Sequence, residues 1–92
     1  MRVFVRAFAK FREIAGEKNR VELEEGSTLC DLLKAISLSH PELEGDLFRS
    51  DGAVGDGVTI LRNRKGIDHL DLSMTALEEG DEVALLPPFS GG

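Results

Sequence analysis

The final residues of the sequence hold its clearest chemical signal. They read Leu86-Pro87-Pro88-Phe89-Ser90-Gly91-Gly92. Two successive glycines bury no side chain and cost backbone entropy on folding, so packing does not explain them. They suit a main-chain carboxylate that must thread a narrow slot in another protein, where a Cβ atom would clash. We therefore expect activation and covalent attachment at the carboxylate of Gly92, with Gly91 beside it. On this view the chemistry is done on the chain rather than by it.

The two prolines before the diglycine separate a folded body from a tail. Proline lacks the N–H that a sheet interior needs, so Pro87 and Pro88 should leave the body extended. Chain ends fray unless they are docked. A length of 92 residues fits one domain. The sequence thus predicts a domain over residues 1–88 and a flexible tail over residues 89–92.

Side chains that commonly catalyse reactions are few and poorly placed. His40 precedes Pro41 at a predicted helix end, and His69 lies in a predicted hairpin. Cys30 flanks the apolar stripe of a predicted helix, where a lone cysteine usually acts as a small hydrophobe. A single cysteine also excludes an internal disulfide and a cysteine-based metal cage. We expect no catalytic residue, no metal site and no bound cofactor.

Composition narrows the class of partner. With 41% apolar and 30% charged residues, the chain is typical of a globular protein. A net charge of −6 argues against nucleic-acid binding, which usually needs a basic stripe. No segment approaches the roughly 18 apolar residues of a membrane span, and the apolar run after Met1 is too short for a signal peptide. We expect a cytoplasmic protein that binds neither nucleic acid nor membrane directly.

Hydrophobic periodicity predicts a sheet with one main helix. Apolar residues recur at i, i+3, i+4 and i+7 from Leu29 to Ile36, Thr28 can cap this helix, and Asp31 follows three residues later. Lys10 to Ala15 can form a short helical turn. This order favours an α+β roll with a mixed sheet of four to five strands and the helix packed on one face. The predicted strands are Arg2–Phe8, Asn19–Glu24, Val58–Leu61, a short Ile67–Leu70, and Glu82–Leu86.

Strand alternation also predicts an apolar patch on the sheet face away from the helix. Phe8, Leu61 and Leu86 each fall on that face. Monomers seldom leave such patches unused, so we expect a partner-binding surface, unless a loop or short helix of the domain covers it. The remaining residues of the expected surface are Arg6, Arg12 and Arg62 at its rim and Pro87, Pro88 and Phe89 in the tail.

These segments resemble the MoaD/ThiS group of ubiquitin-like sulfur carriers, and within it the small archaeal modifier proteins. The matching pieces cover nearly the whole chain, and the Gly-Asp-Glu-Val-Ala segment, the two prolines and the final Gly-Gly are the most specific of them. The resemblance implies the β-grasp fold. The matching segments are Val3–Ala9, Phe11–Glu13, Ala15–Gly16, Gly26–Leu29, Asp31–Leu33, Pro41–Leu43, Leu61–Asn63, Ile67, and Leu77–Gly92.

The resemblance further implies that a partner adenylating enzyme, of the ubiquitin-activating type, uses ATP on the Gly92 carboxylate. Sulfur transfer would then give a thiocarboxylate for molybdopterin or tRNA thiolation, whereas a lysine amine would give an isopeptide bond. The implied partners are that enzyme, the large subunit of molybdopterin synthase, and target-protein lysines. The chain would not be an enzyme, except as the small subunit of a sulfur-transfer enzyme. A modifier with a second role as carrier is favoured, and the alternative is a non-conjugated β-grasp interaction module.

Overall fold

The computed structural model describes residues 1–88, which form a mixed five-stranded sheet with helices on one face. No helix within residues 1–88 has the length and apolar character that crossing a bilayer requires. Two 3₁₀ helices, Pro41–Leu43 and His69–Met74, accompany the regular elements. The strands are β1 (Arg2–Ala7), β2 (Lys18–Glu22), β3 (Thr59–Arg62), β4 (Lys65–Gly66) and β5 (Glu82–Leu86), and the α-helices are α1 (Lys10–Ala15), α2 (Leu29–Ser39) and α3 (Glu44–Leu47).

The last strand lies at the centre of the sheet. The strand order is β2-β1-β5-β3-β4. β1 and β2 form an antiparallel hairpin, β5 runs parallel to β1, and β3 runs antiparallel to β5. The mixed sheet predicted from the sequence is confirmed.

Helix α2 begins as its sequence predicts. The Asp31 amide donates to Thr28 Oγ1 over 3.3 Å, and the Thr28 amide donates to Asp31 Oδ2 over 2.9 Å, so the two residues form a capping box. Hydrogen bonds from the Thr28 backbone and then its side chain hold the pKa of Asp31 below its ordinary value. The helix ends at Ser39, two residues before Pro41.

The core lies between the sheet and α2, and the predicted alternation places residues in it correctly. The apolar stripe of α2 is buried, as are the inward residues of β1 and β5. A second group comes from the short helices and loops and was not anticipated. The stripe is Leu29, Leu32, Leu33 and Ile36, the strand residues include Val3, Val5, Ala7, Val83 and Leu85, and the second group is Phe11, Leu43, Leu47, Leu72 and Leu77.

The prediction of a strand over Ile67–Leu70 is wrong. Asn63 and Arg64 both have positive φ, at 49° and 73°, and Arg62 pairs with Lys65. Only Asn63 and Arg64 form the turn, so β4 begins at Lys65 and ends at Gly66, before Ile67. His69 therefore starts a 3₁₀ helix instead of lying in a hairpin.

Candidate functional site

β5 carries the chain to the point where it leaves the sheet. Val83 pairs with Val5 of β1 and with Arg62 of β3, so the strand is hydrogen-bonded on both sides. It ends at Leu86, and the following Pro87 is half-buried. Because proline has no backbone N–H to donate to a neighbouring strand, the chain leaves the sheet at this point. The predictions of attachment at Gly91 and Gly92, of contact by Phe89, and of a flexible tail over residues 89–92 all fall outside the described residues.

The start of β5 is anchored by the buried carboxylate of Asp81, which is 7% exposed. Its Oδ2 accepts from Arg62 Nε over 3.0 Å and from the Glu78 amide over 2.8 Å, while Oδ1 accepts from Asn63 Nδ2 over 3.0 Å. Burial acts to raise the pKa of Asp81, but the hydrogen bonds from Asn63, Glu78 and Arg62 outweigh it and leave the pKa below its ordinary value. The carboxylate is thus held ionised inside the fold.

Asn63, in the β3–β4 turn, also forms hydrogen bonds with Glu82, the first residue of β5. The Glu82 amide donates to Asn63 Oδ1 over 2.9 Å, and the Asn63 amide donates to the Glu82 carbonyl over 2.7 Å. Together with Asp81 these bonds set the register of β5, and hence the position at which Leu86 leaves the sheet. Sequence reasoning missed this anchor. The sequence feature that could have revealed the anchor is a basic residue and an asparagine, Arg62 and Asn63, directly after one predicted strand, with an acidic residue, Asp81, directly before another.

The outer-face patch, formed by Phe8, Leu61 and Leu86, lies on the sheet face opposite α2. All three side chains are half-buried, and none belongs to the core cluster. Leu61 pairs in register with Ala84, and Phe8 and Leu86 directly follow the register pair Ala7 and Leu85. The three strands therefore bring the patch together beside the exit of the tail. Its role as a docking surface stays a prediction.

The three rim arginines differ in position. The Arg6 guanidinium lies 5.4 Å from the Phe8 ring centroid, directly at the patch. Arg12 is exposed on α1, and its Nη2 is 3.5 Å from Glu17 Oε2. The expected position of Arg62 at the rim is wrong. Successive strand residues point to opposite faces, so Arg62 turns away from the patch, and it binds Asp81 instead.

The residues considered for catalysis are scattered. His40 follows the end of α2, His69 begins a 3₁₀ helix, and Cys30 is half-buried in the first turn of α2. Over residues 1–88, no three His, Cys, Asp or Glu side chains come together as a metal site would require.

A mixed sheet with a central last strand and a helix across one face defines a ubiquitin-like β-grasp protein. The chain belongs to the ThiS family, whose model matches residues 5–92. Small archaeal modifier protein 3 of Haloferax volcanii is 37% identical over 93 residues, which cover both chains completely. The molybdopterin synthase sulfur carrier subunit of Chlamydomonas reinhardtii is also 37% identical over 93 residues, again covering both chains completely.

Solved structures show the same architecture. SAMP1 from Haloferax volcanii superposes over the whole of both chains with a TM-score of 0.84 and 36% identity. A chain in the complex of subunits 1 and 2 of the molybdopterin-converting factor from Helicobacter pylori matches over its whole length with a TM-score of 0.64 and 30% identity. In that complex the related fold is bound to a partner protein.

Proposed function

We propose that this chain is a ubiquitin-like protein modifier and sulfur carrier whose Gly92 carboxylate is the reactive group. The observation that carries the proposal is the path of β5, which is anchored at Asp81, paired on both sides, and leads directly into the Pro-Pro and Gly-Gly segment. Relatives named as modifiers and as sulfur carriers match the chain over its whole length, which supports both branches.

The first step is the same for both branches. A carboxylate is a poor electrophile, so an activating enzyme must join the Gly92 carboxylate to the AMP portion of ATP and release pyrophosphate. A sulfur nucleophile that attacks the acyl-adenylate displaces AMP and leads to a thiocarboxylate. A lysine amine that attacks the activated carbonyl gives an isopeptide bond. In this scheme ATP binds to the partner enzyme, and this chain supplies the carboxylate and the surface that positions it.

The outer-face patch is the surface we assign to the activating enzyme. It combines apolar area with the nearby guanidinium of Arg6, and it adjoins the end of β5 at Leu86. From Pro87 to Gly92 an extended chain spans up to about 18 Å. The sheet can therefore rest on the partner while the carboxylate enters a recessed site. We place the protein, and its binding to the activating enzyme, in the cytoplasm.

The test is deletion of Gly91 and Gly92, alongside Gly92→Ala. We expect both variants to melt at the temperature of the unchanged protein, because the described core is built from residues between Val3 and Leu85. Both should lose ATP–pyrophosphate exchange with the cognate activating enzyme. Intact-mass analysis of protein from its native cell separates the branches. Exchange of one oxygen for sulfur indicates the carrier, and lysine-linked adducts indicate the modifier. Normal cellular function of the deletion variant would instead support a non-conjugated interaction module.

A further inference from the structure

An open cleft lies between β2 and the C-terminal half of α2, on the sheet face opposite the outer-face patch. Its floor is apolar and includes Val5, Ile36 and Leu85, while Val21 and His40 stand nearer its mouth. The cleft encloses about 260 Å³, which is below the roughly 300–1,000 Å³ of sites for whole small molecules. A volume of this size fits one or two aliphatic side chains.

The cleft adjoins a sheet edge that no other strand of residues 1–88 pairs with. β2 is the terminal strand of the sheet. The Leu23 amide donates to the Met1 carbonyl, and the Ala7 amide donates to the Glu17 carbonyl. In an antiparallel ladder these bonds recur at every second residue, so residues 17, 19, 21 and 23 face β1. The backbone N–H and C=O groups of residues 18, 20 and 22 consequently point out of the sheet.

We propose that β2 and this cleft bind an extended segment of a partner protein, which adds an antiparallel strand to the sheet. Partner residues opposite Asn19 and Val21 would point toward the cleft and should be aliphatic. Residues opposite Lys18 and Arg20 should be acidic, and the residue opposite Glu22 should be basic, because opposite charges stabilise a cross-strand pair. The recognised pattern is thus basic–aliphatic–acidic–aliphatic–acidic, from the partner's N-terminus to its C-terminus.

The charges on the edge also argue against a second copy of this chain as the occupant. If two β2 edges paired antiparallel about their centres, two Arg20 guanidiniums would lie directly opposite each other. Like charges in that position destabilise a strand pair, and charged residues commonly protect an edge from such association. An acidic partner strand removes the repulsion and uses the same arginine for attraction.

This site goes beyond the proposed function because it does not involve the tail. β1 separates β2 from β5, and the cleft and the outer-face patch lie on opposite faces of the sheet. A peptide in the cleft would leave both the patch and the exit at Leu86 uncovered. The chain can therefore be recognised at β2 while its carboxyl end is engaged elsewhere.

The probe is the end-capped peptide Ser-Lys-Val-Glu-Val-Glu-Ser, titrated into the full chain and followed by NMR. We expect saturable shifts at the amides of Lys18, Arg20, Glu22 and Ile36, with a dissociation constant of about 0.1–1 mM. Hydrogen exchange at the first three amides should slow when the peptide is bound. The matched control, Ser-Val-Val-Lys-Glu-Glu-Ser, has the same composition without the alternation and should bind about tenfold more weakly or worse.

Three variants sharpen the test. Ala35→Arg places a long side chain at the cleft and should weaken binding at least about tenfold. Arg20→Glu, at an exposed position, should weaken the same peptide, and replacing the peptide's central glutamate by lysine should restore binding. Deleting Gly91 and Gly92 should leave peptide binding unchanged, so failure of the tail chemistry is distinguishable from failure here.

Several outcomes would overturn the proposal. They are the absence of saturable shifts up to about 5 mM peptide, shifts centred on the outer-face patch, equal binding by the Ala35→Arg variant, and no response to the charge exchange at Arg20. Concentration-dependent shifts at the β2 amides without peptide would assign the edge to a second copy of the chain.

Discussion

Arg62 holds one oxygen of Asp81 with two of its nitrogens: Nε lies 3.0 Å and Nη2 2.9 Å from Oδ2. The Asp81 side chain is 8% exposed and that of Arg62 26% exposed, so water competes little for the pair. The pair joins the last residue of β3 to the residue that precedes β5. The placement of the C-terminal segment therefore begins with a charge pair at the far end of the strand.

Asp81→Ala should lower the free energy of unfolding by about 2–3 kcal/mol, because it removes a buried carboxylate that accepts hydrogen bonds from Arg62, Asn63 and Glu78. Asp71→Asn, on an exposed side chain, is the matched control and should change it by less than about 0.5 kcal/mol. Urea unfolding followed by circular dichroism measures both. Equal effects of the two substitutions would contradict the anchoring role.

Stability should depend on pH through the same carboxylate. The pKa of Asp81 in the fold lies below its ordinary value of 3.8. Between the two values the unfolded chain binds more protons than the folded chain, so stability rises with pH there. We expect the contribution of Asp81 to the free energy of unfolding to be fully present above pH ~5 and to be lost as the pH falls below ~4. Asp81→Asn should flatten part of this loss, and Asp31, whose pKa is also lowered, should account for another part. Identical pH profiles with and without Asp81 would refute the assignment.

Ala9→Gly should stabilise the protein. Ala9 links β1 to α1 with φ 53° and ψ −130°, a backbone conformation that strains any residue with a Cβ atom. Relief of that strain should raise the free energy of unfolding by about 1 kcal/mol. Ala53→Gly is the control, since Ala53 is exposed in a loop and has no positive φ, and it should be neutral or slightly destabilising. Thermal melting compares the two, and destabilisation by Ala9→Gly would show that the site is unstrained.

Gly57→Ala should destabilise, because a Cβ on Gly57 would lie 2.6 Å from the backbone carbonyl oxygen of Asp46. Backbone atoms cannot move aside cheaply, so we expect a loss of about 1–3 kcal/mol. Gly45→Ala is the matched control. Within the described chain, no atom apart from its chain neighbours and the backbone of its own helix lies within 4 Å of its added Cβ. Alanine also favours the helix in which it sits. Chemical denaturation should therefore rank the two substitutions in opposite directions.

Leu86→Ala and Phe8→Ala should each weaken binding to the activating enzyme by more than about tenfold, or ~1.4 kcal/mol, if the outer-face patch is the docking surface. Leu38→Ala is the control, since Leu38 is a leucine 82% exposed on α2, away from that face. Calorimetric titration measures the affinities, and melting temperatures show that the folds are intact. Substitution of Arg6 should instead slow association in a salt-dependent way. Unchanged affinity for both alanine variants would remove the patch from the mechanism.

Local signals were sufficient for the elements that have long or well-bounded patterns. The predicted bounds of β5, Glu82 to Leu86, coincide with those observed, because a glycine turn precedes the strand and prolines follow it. α2 was recognised from its apolar stripe and from Thr28 with Asp31 at its start. In both cases the information lies in consecutive residues.

Where a residue's place depends on distant segments, the sequence was less informative. Phe11 is fully buried, but its burial could not be predicted from α1 itself. The helix has six residues and buries only Phe11, so its sequence shows no apolar periodicity. The His69–Met74 helix depends on the Asp68 cap and the burial of Leu72, neither of which marks helix over strand in so short a segment. Arg62 was placed at the patch rim because the predicted strand ended at Leu61, one residue short of the observed β3, and because its partner Asp81 is nineteen residues away.

The central position of β5 also has a mechanical consequence. A protein conjugated through its C-terminus and drawn into an unfolding machine from that end would be pulled along β5. The hydrogen bonds to β1 and β3 lie across the direction of such a force, so they share the strain and must break together instead of opening one by one as in a zipper. A strand arranged to present a carboxylate is therefore also arranged to resist extraction, and the fold should withstand pulling from its tail better than pulling that peels the edge strand β2.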